Sequence, residues 1–547
     1  MKNLYSPKSV FALTLAVAGL CVAVIEYQVL GRTNGTFSYP LDDTYIHMAL
    51  ARNLAVHGNW GISPHEFASA SSSLLYTMLL AGLFKLFSVH VIIPFVLNCV
   101  VGVVLLAVVQ RWLRREGIPA GGQLGILLVV VFAVPLPILI ICGMEHTLQC
   151  LFSFLFVYGF SEWLEGSLAD RRGKWKFPWP VAIYGLLVTF IRYEGLFPVA
   201  IACLILVWHR KLGLAVKLGF ISVLPVALFG IFSVIRGSYF LPNSVLLKSG
   251  GAPMSLSGML QFLDNIFIQK LTIVKTDEIP YGTPRPGISL LATQRLLIIL
   301  PAVYWIFLKY IRQRVAYGYI LGMLLGCTIL QLCFASTGWL YRYEAYLIFC
   351  TVVIAGVLVY RYGREVIREK TIGACLMLAV ALFALGFPAV LRSTAAFSKT
   401  GTACVNIYQQ QYQMGQFLHT YYDKDAVAAN DIGAVSFFTE GPNVDLWGLG
   451  NIQVARAKKK GYWTADFLDS LCRSRRVRTA VLYDKWFSDS LLRRWTKVGI
   501  WQIRDNVICG DDSVSFFAVG SADAPELKKD LREYEPRLPA GVTVRYY

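Results

Sequence analysis

Long apolar runs separated by short polar ones fill the first two thirds of the chain. The runs at residues 10–30, 91–113, 124–141, 148–160, 179–191, 196–208, 215–235, 290–308, 317–336, 341–360 and 371–391 are read as membrane-crossing helices, about eleven in all. A further run at 73–89 is short, carries Lys85 inside it and is followed almost at once by the next. Its placement decides the sidedness of everything after it. If it lies in the membrane interface without crossing, then Arg111, Arg114 and Arg115, the segment DRRGKWK at 170–176, the trio His209, Arg210 and Lys211, and KYIRQR at 309–314 all fall on one side. Counting it as a span inverts those loops, so the pattern predicts an interfacial segment. Lys2 and Lys8 before the first run place the N-terminus on the basic, cytoplasmic side. That start lacks a small-residue cleavage site and is kept as a spanning helix.

Beyond residue 391 the apolar helices stop. Short β-prone runs such as AVAAND, TAVLYD and VSFFAVG alternate with polar segments and Gly-Pro punctuation, and an amphipathic helix is expected near 408–421. The predicted architecture is therefore a polytopic α-helical membrane module over 1–391, with its first outer loop at 32–90, followed by an extracytoplasmic mixed α/β domain over 392–547.

Composition agrees with that division. With 56% hydrophobic and 15% charged residues, the chain is far more apolar than a soluble protein of 547 residues. The net charge of +18 would suggest nucleic acid in a soluble chain, but here it is accounted for by the basic ends of apolar runs, and no nucleic-acid partner is expected. Twelve cysteines stand singly, without a C-x-x-C pair or zinc spacing. Of these, Cys404, Cys472 and Cys509 lie in the expected outer domain, where at most one disulfide can form.

Once sidedness is set, the charged motifs gather on one face. Asp42 and Asp43 follow the first span, GMEHT holds Glu145 and His146, IRYEG holds Arg192 and Glu194, the segment from Arg236 to Lys248 includes Asn243, and WLYRYE holds Arg342 and Glu344. Ionisable groups at membrane depth cost about 2.5–3.5 kcal/mol each on insertion scales, so they are either paired or functional. Asp42 and Asp43 serve as the N-cap of the following helix or as a general base with an orienting neighbour, and a pair of carboxylates is also the natural seat of an optional magnesium or manganese ion. Arg and Lys at the same depth suit a lipid phosphate whose tail stays in the bilayer. Asp445 and Trp447 in the outer domain are candidates for acceptor contact, the alternative for Asp445 being a loop cap.

The stretches LDDTYIHMALARNLAVHGNWGISP, SASSSLLYTMLL, GMEHTLQ, YFLPNSVLLKSG and DIGAVSFFTEGPNVDLWGLG, in that order, resemble the GT-C superfamily of polyprenyl-phosphate-dependent glycosyltransferases, most closely the branch of mycobacterial terminal arabinofuranosyltransferases. The resemblance implies a GT-C fold in a bacterial cytoplasmic membrane, with the active site extracytoplasmic. It also implies inverting transfer of a sugar, such as a pentofuranose, from a polyprenyl-phosphate donor to an envelope glycan, lipid or protein. Asp42 or Asp43 is then the base. Lys85 lies on a juxtamembrane helix and, with Arg192, Arg236, Lys248 and Arg342, contacts the donor phosphate; Glu145, His146, Glu194, Asn243, Glu344, Asp445 and Trp447 line the site. No cofactor is required. The chain departs from the family at Arg192-Tyr193-Glu194-Gly195, where relatives carry an Arg-Pro-Asp-Gly-like motif, and at SPHEFASASSS, the places where sugar and acceptor are read. A transporter or flippase of lipid-linked sugars is the alternative from another class. It predicts ionisable groups near the bilayer midplane and related halves.

Overall fold

The computed structural model describes residues 6–170, 175–248, 286–369 and 372–547. Each expected span overlaps helix over its described residues, and five helices are long and apolar enough to cross a membrane among the described residues: Pro7–Arg32, Ile93–Arg115, Leu212–Ile235, Val315–Phe334 and Ala345–Arg368. The molecule is an integral membrane protein. In chain order its first elements are α1 (Pro7–Arg32), α2 (Asp42–His57), α3 (Leu74–Phe87), α4 (Ile93–Arg115), α5 (Ala120–Ala133), α6 (Leu136–Ile141), α7 (His146–Ala169), α8 (Trp179–Ile191), α9 (Leu196–Trp208), α10 (Leu212–Ile235) and α11 (Asn243–Lys248). Further helices cover Pro286–Ile306, Val315–Phe334, Ala345–Glu369 and Ile372–Ile407.

Local sequence explains the boundaries. Ser6 caps α1 by accepting from the Ser9 amide, with Pro7 at the first helical position. Gly58 ends α2 in the left-handed conformation, at φ 68°, with its N–H on the Asn53 carbonyl. The single span expected at 124–141 is instead two pieces, α5 and α6, because Pro135 and Pro137 cannot donate to a continuing helix. The 14 residues of α3 rise about 21 Å, as long as α5 and slightly longer than α8 and α9, so its length does not set it apart from the expected spans. It buries Tyr76, Leu80 and Phe84 and exposes Met78, Leu79, Leu86 and Phe87. The helix Ile372–Ile407 runs unbroken through the expected domain boundary at 391; its 36 residues extend about 54 Å, longer than the roughly 30 Å hydrocarbon core.

Several expected loops meet at one end of the bundle. Glu116 pairs with Arg314 at 2.5 Å and Arg361 at 3.5 Å, and Trp112 donates to Glu162 at 2.6 Å. At the other end stand α2 and the C-terminal domain. That domain is built on a six-stranded mixed sheet of order β2-β1-β3-β5-β4-β6. Its strands are β1 (Val427–Ala429), β2 (Asn443–Asp445), β3 (Thr479–Leu482), β4 (Thr496–Gln502), β5 (Ser513–Ala518) and β6 (Thr543–Tyr546). β1 runs parallel to β2 and β3, and the other pairings are antiparallel. The helix expected near 408–421 is Gln413–Tyr422, preceded by a π-helical turn at Tyr408–Tyr412. Cys404, Cys472 and Cys509 are buried free thiols, so none of them forms the disulfide that the sequence allowed. Cys404 sits in the long helix Ile372–Ile407, where its carbonyl accepts from Ser38, rather than in the sheet domain.

The loops after β1 and β2 point at the membrane module, and α2 grips the first of them. Gly433–Phe438 forms a short helix lying along α2. Asp42 at the start of α2 accepts from the Gly433 amide at 2.5 Å and the Ala434 amide at 2.8 Å. Arg52, ten residues on, donates to the carbonyls of Phe437 at 2.7 Å and Thr439 at 2.8 Å. A carboxylate thus meets the amides at one end of the short helix and a guanidinium meets the carbonyls at the other, each matching the local dipole. The fit leaves no room: a Cβ on Gly433 would lie 2.1 Å from the Asp42 carbonyl oxygen.

Candidate active site

Successive residues on a helix point about 100° apart, so Asp42 and Asp43 cannot serve one face. Asp42 turns to the C-terminal domain. Asp43 turns to a cavity of about 250 Å³, mostly apolar, between α2, the turn Arg192–Glu194, α9, α11 and the segment following Val315–Phe334. His47, one turn along α2 on the Asp43 side, lines the same cavity.

Two arginines form its polar wall. Arg342 is buried and paired with Asp43, in contact with the Met144 sulfur; it donates to the Tyr343 hydroxyl at 3.2 Å and lies 4.9 Å over that ring. Arg192 forms a two-pronged pair with Glu194, at 3.0 and 2.6 Å, and donates to Glu145 at 2.6 Å. Its guanidinium also lies 3.1 Å from His146 Nε2 and 5.4 Å from the Tyr343 ring centre. Tyr343 therefore stands between both guanidinium groups. Behind Arg192, the fully buried Glu145 accepts from Ser72 at 3.3 Å and faces His47 Nε2 at 3.5 Å. Burial alone would raise the Glu145 carboxyl, but His146, His47 and Arg192 together hold it below the usual carboxylate range. Burial lowers the His47 pKa, against the opposing pull of the Glu145 and Asp43 carboxylates.

Asp42 has a different environment. Burial, and then the Asp431 carboxyl hydrogen-bonded beside it, push it well above the ordinary range. Asp431 is itself raised by burial, while accepting from Gln411 at 2.8 Å and the Tyr483 hydroxyl at 3.1 Å. Two carboxyls in contact in a buried site share one proton. As joint metal ligands Asp42 and Asp43 do not fit. Both Asp42 oxygens are taken by backbone amides and Asp43 is paired with Arg342. Among the described residues no group of three or more His, Cys, Asp and Glu is arranged to hold an ion.

The cavity thus gathers Asp43, Arg192, Glu194 and Arg342 from separate segments of the chain, with Glu145 and His146 behind them. Other sequence candidates lie elsewhere. Lys85 is exposed at the end of α3, and Arg236 is exposed after α10, stacked on Phe232. The Lys248 side chain falls outside the described residues. Asn243 sits just behind the wall, tying Ser69 to the Leu449 carbonyl, while its neighbour Ser244 faces the cavity.

Glu344 points away into a buried pair with Arg392 at 2.9 Å. Asp445 is a loop cap, accepting from the amides of Trp447, Gly448 and Gly450 at 2.7, 3.0 and 2.6 Å; from that loop Leu449, not Trp447, reaches the cavity. Trp447 covers Lys458 instead, whose ammonium lies 3.0 Å from its ring centre.

Sequence reasoning missed His47, Ser72, Tyr343 and Ser244. The i,i+4 spacing of Asp43 and His47 was the available signal for the first of these.

A turn of unusual conformation presents Arg342. Gly338, Trp339, Leu340 and Tyr341 have φ of 91°, 47°, 56° and 59°, four consecutive left-handed residues. Each non-glycine residue there costs roughly 1–2 kcal/mol. Glu344 accepts from the Gly338 amide at 2.8 Å and Arg392 donates to the Tyr341 carbonyl, so the buried pair closes the turn from both sides.

Comparison with known proteins places this geometry in a wider setting. Residues 405–517 match a family model described as a domain of unknown function, DUF8728. No curated protein matches the chain. Two crystal structures of ArnT from Cupriavidus metallidurans, one bound to undecaprenyl phosphate and one in the apo state, align over 93% of this chain and 98% of their own. Both give a TM-score of 0.50 at 12% sequence identity. From the first span to the C-terminal domain, the chain shares its fold with ArnT.

Proposed function

We propose that the protein is a GT-C type membrane glycosyltransferase with about eleven spans, which moves a sugar from a polyprenyl-phosphate carrier to an envelope glycan, lipid or protein acceptor. The observation that carries this reading is the Asp43–Arg342 pair at the wall of an apolar cavity. A carboxylate suited to accept a proton stands beside a guanidinium suited to a phosphate, next to space for a lipid-linked sugar. The likeness in fold to a protein crystallised with undecaprenyl phosphate supports a polyprenyl-phosphate ligand.

Binding of the donor phosphate competes with Asp43 for Arg342. As the guanidinium turns to the phosphate, Asp43 is released to accept the proton of the acceptor hydroxyl. The acceptor oxygen then attacks the anomeric carbon, the bond from that carbon to the phosphate oxygen breaks, and the configuration inverts. The leaving polyprenyl phosphate gains one negative charge, which Arg342 stabilises, with Arg192 adding field from behind Tyr343. Glu145 and Glu194 fix Arg192 in place. The active site and C-terminal domain face the extracytoplasmic side of a bacterial cytoplasmic membrane, the orientation that puts the basic loops inside. The sugar is a pentofuranose such as arabinofuranose, by resemblance of the motifs.

The test is transfer by purified protein from a panel of synthetic polyprenyl-phosphate-linked pentoses and hexoses, with the anomeric configuration of product followed by NMR. Transfer with inversion that is lost in Asp43→Asn is the expected result. Retention of configuration, or movement of the lipid-linked sugar across vesicles without transfer, overturns it.

A further inference from the structure

The membrane module holds a second cavity, distant in kind from the first. It is an apolar groove of about 480 Å³ between α1, α4 and α6, within the roughly 300–1,000 Å³ of small-ligand sites. On α1 it extends from Leu15 to Leu30, about 22 Å at helical rise. Small residues open it: Ala18, Gly19 and Ala23 on α1 and Cys99 and Gly102 on α4. A Cβ placed on Gly19 would meet nothing within 4 Å, so this space is unfilled by the described residues. The neighbouring positions Leu20, Val24 and Val100 are exposed, which turns the groove toward the bilayer.

Among the residues that line it, one is charged. Glu26 is 9% exposed, and both of its carboxyl oxygens are buried with no hydrogen-bond partner among the described residues. A carboxyl in an apolar setting without a donor is costly, and an ionisable group within a spanning helix marks a ligand or a partner. Glu26 lies six residues before Arg32, the last residue of α1, about 9 Å along the axis. Since α1 rises about 39 Å against a hydrocarbon core of roughly 30 Å, the carboxyl stands near the level where lipid chains meet their head groups.

We propose that this groove is a lipid site, holding one apolar chain along α1 with an ammonium-bearing head group on the Glu26 carboxylate. Charge complementarity selects the head. An ammonium supplies the N–H donors that the protein withholds and favours the ionised carboxyl against the cost of burial, whereas an anionic head supplies neither a cation nor these donors. The site is separate from the Asp43 cavity and does not rest on the transferase reading.

The experiment is native mass spectrometry of the full-length protein from detergent, after exchange with equal amounts of phosphatidylethanolamine and phosphatidylglycerol of identical chains. Wild type is expected to retain one ethanolamine lipid in about tenfold preference. Glu26→Gln should retain both lipids alike. Gly19→Leu, whose Cβ would meet nothing within 4 Å, should lose the retained lipid while keeping the Glu26 carboxyl and the folded state, checked by thermal melting. Equal or greater retention of phosphatidylglycerol by wild type overturns the proposal, as does unchanged ethanolamine retention in a folded Gly19→Leu.

Discussion

Asp43 and Arg342 form an ion pair across 299 residues of sequence, with the guanidinium buried and the carboxylate at the cavity. In the proposed mechanism the pair neutralises the arginine before substrate arrives and holds base and phosphate contact in one interaction. Asp43→Asn is expected to lower kcat for transfer by about 10²–10⁴-fold, the usual contribution of a general base. Arg342→Lys should not restore activity, since an ammonium lacks the planar fork that meets both a carboxylate and a phosphate. Steady-state kinetics with a synthetic donor check both, and a wild-type rate in the Arg342→Lys variant would contradict the assigned role.

The neighbouring carboxylate behaves differently. Asp42→Asn replaces one of the two accepting oxygens by an NH2 group, so one of the Gly433 and Ala434 amides loses its acceptor, at a cost of about 1–3 kcal/mol in the docking of the C-terminal domain. Gly433→Ala should act at the same place, because its methyl group would overlap the Asp42 backbone. Limited proteolysis and hydrogen exchange across Gly433–Phe438 report the loosening. Residual transfer in Asp42→Asn above that of Asp43→Asn separates docking from chemistry; the reverse order would reassign the base.

Docking should also depend on pH. The Asp42 and Asp431 carboxyls are both raised by burial, and the titratable groups facing the pair, Asp43, Tyr45, Tyr483 and Cys509, supply no cation. A group whose folded pKa lies above its unfolded one contributes stability below the unfolded value, about 3.9 for Asp, and loses it as pH rises through the folded value. Exchange protection of the Gly433 and Ala434 amides is therefore expected to fall as pH rises, and Asp42→Asn should flatten that dependence. Glu145 has the opposite sign. Its lowered carboxyl contributes stability above about 4.3, the ordinary Glu value, and loses it as pH falls through the folded value.

Arg392 reaches the cavity only through the turn it closes, yet it should matter for transfer. Arg392→Met leaves Glu344 buried without its cation, a change that costs about 3–5 kcal/mol. It also frees the left-handed turn that aims Arg342. Replacing both partners, Arg392→Met with Glu344→Leu, should recover stability toward wild type but not kcat, because the turn still lacks its two anchors. Thermal melts beside kinetics distinguish the two effects; full recovery of kcat in the double variant would limit the pair to packing.

Much of this molecule is decided by pattern alone. Apolar run lengths place the helices, because bilayer thickness acts on local sequence, and the basic loops expected on one side do supply Arg314 and Arg361 to one end of the bundle, around Glu116. The β-prone tail likewise announces a sheet domain. Where helices break depended on single prolines, so α5 and α6 were read as one.

The site is another matter. Asp42 and Asp43 look equivalent in a sequence and are set about 100° apart only by the helix they begin; which face meets the cavity is decided by where Gly433 docks. Arg342 and Glu344 sit two positions apart and pair with partners on different segments, Asp43 and Arg392. Which charges meet is fixed by packing between distant segments, and no local spacing encodes that contact.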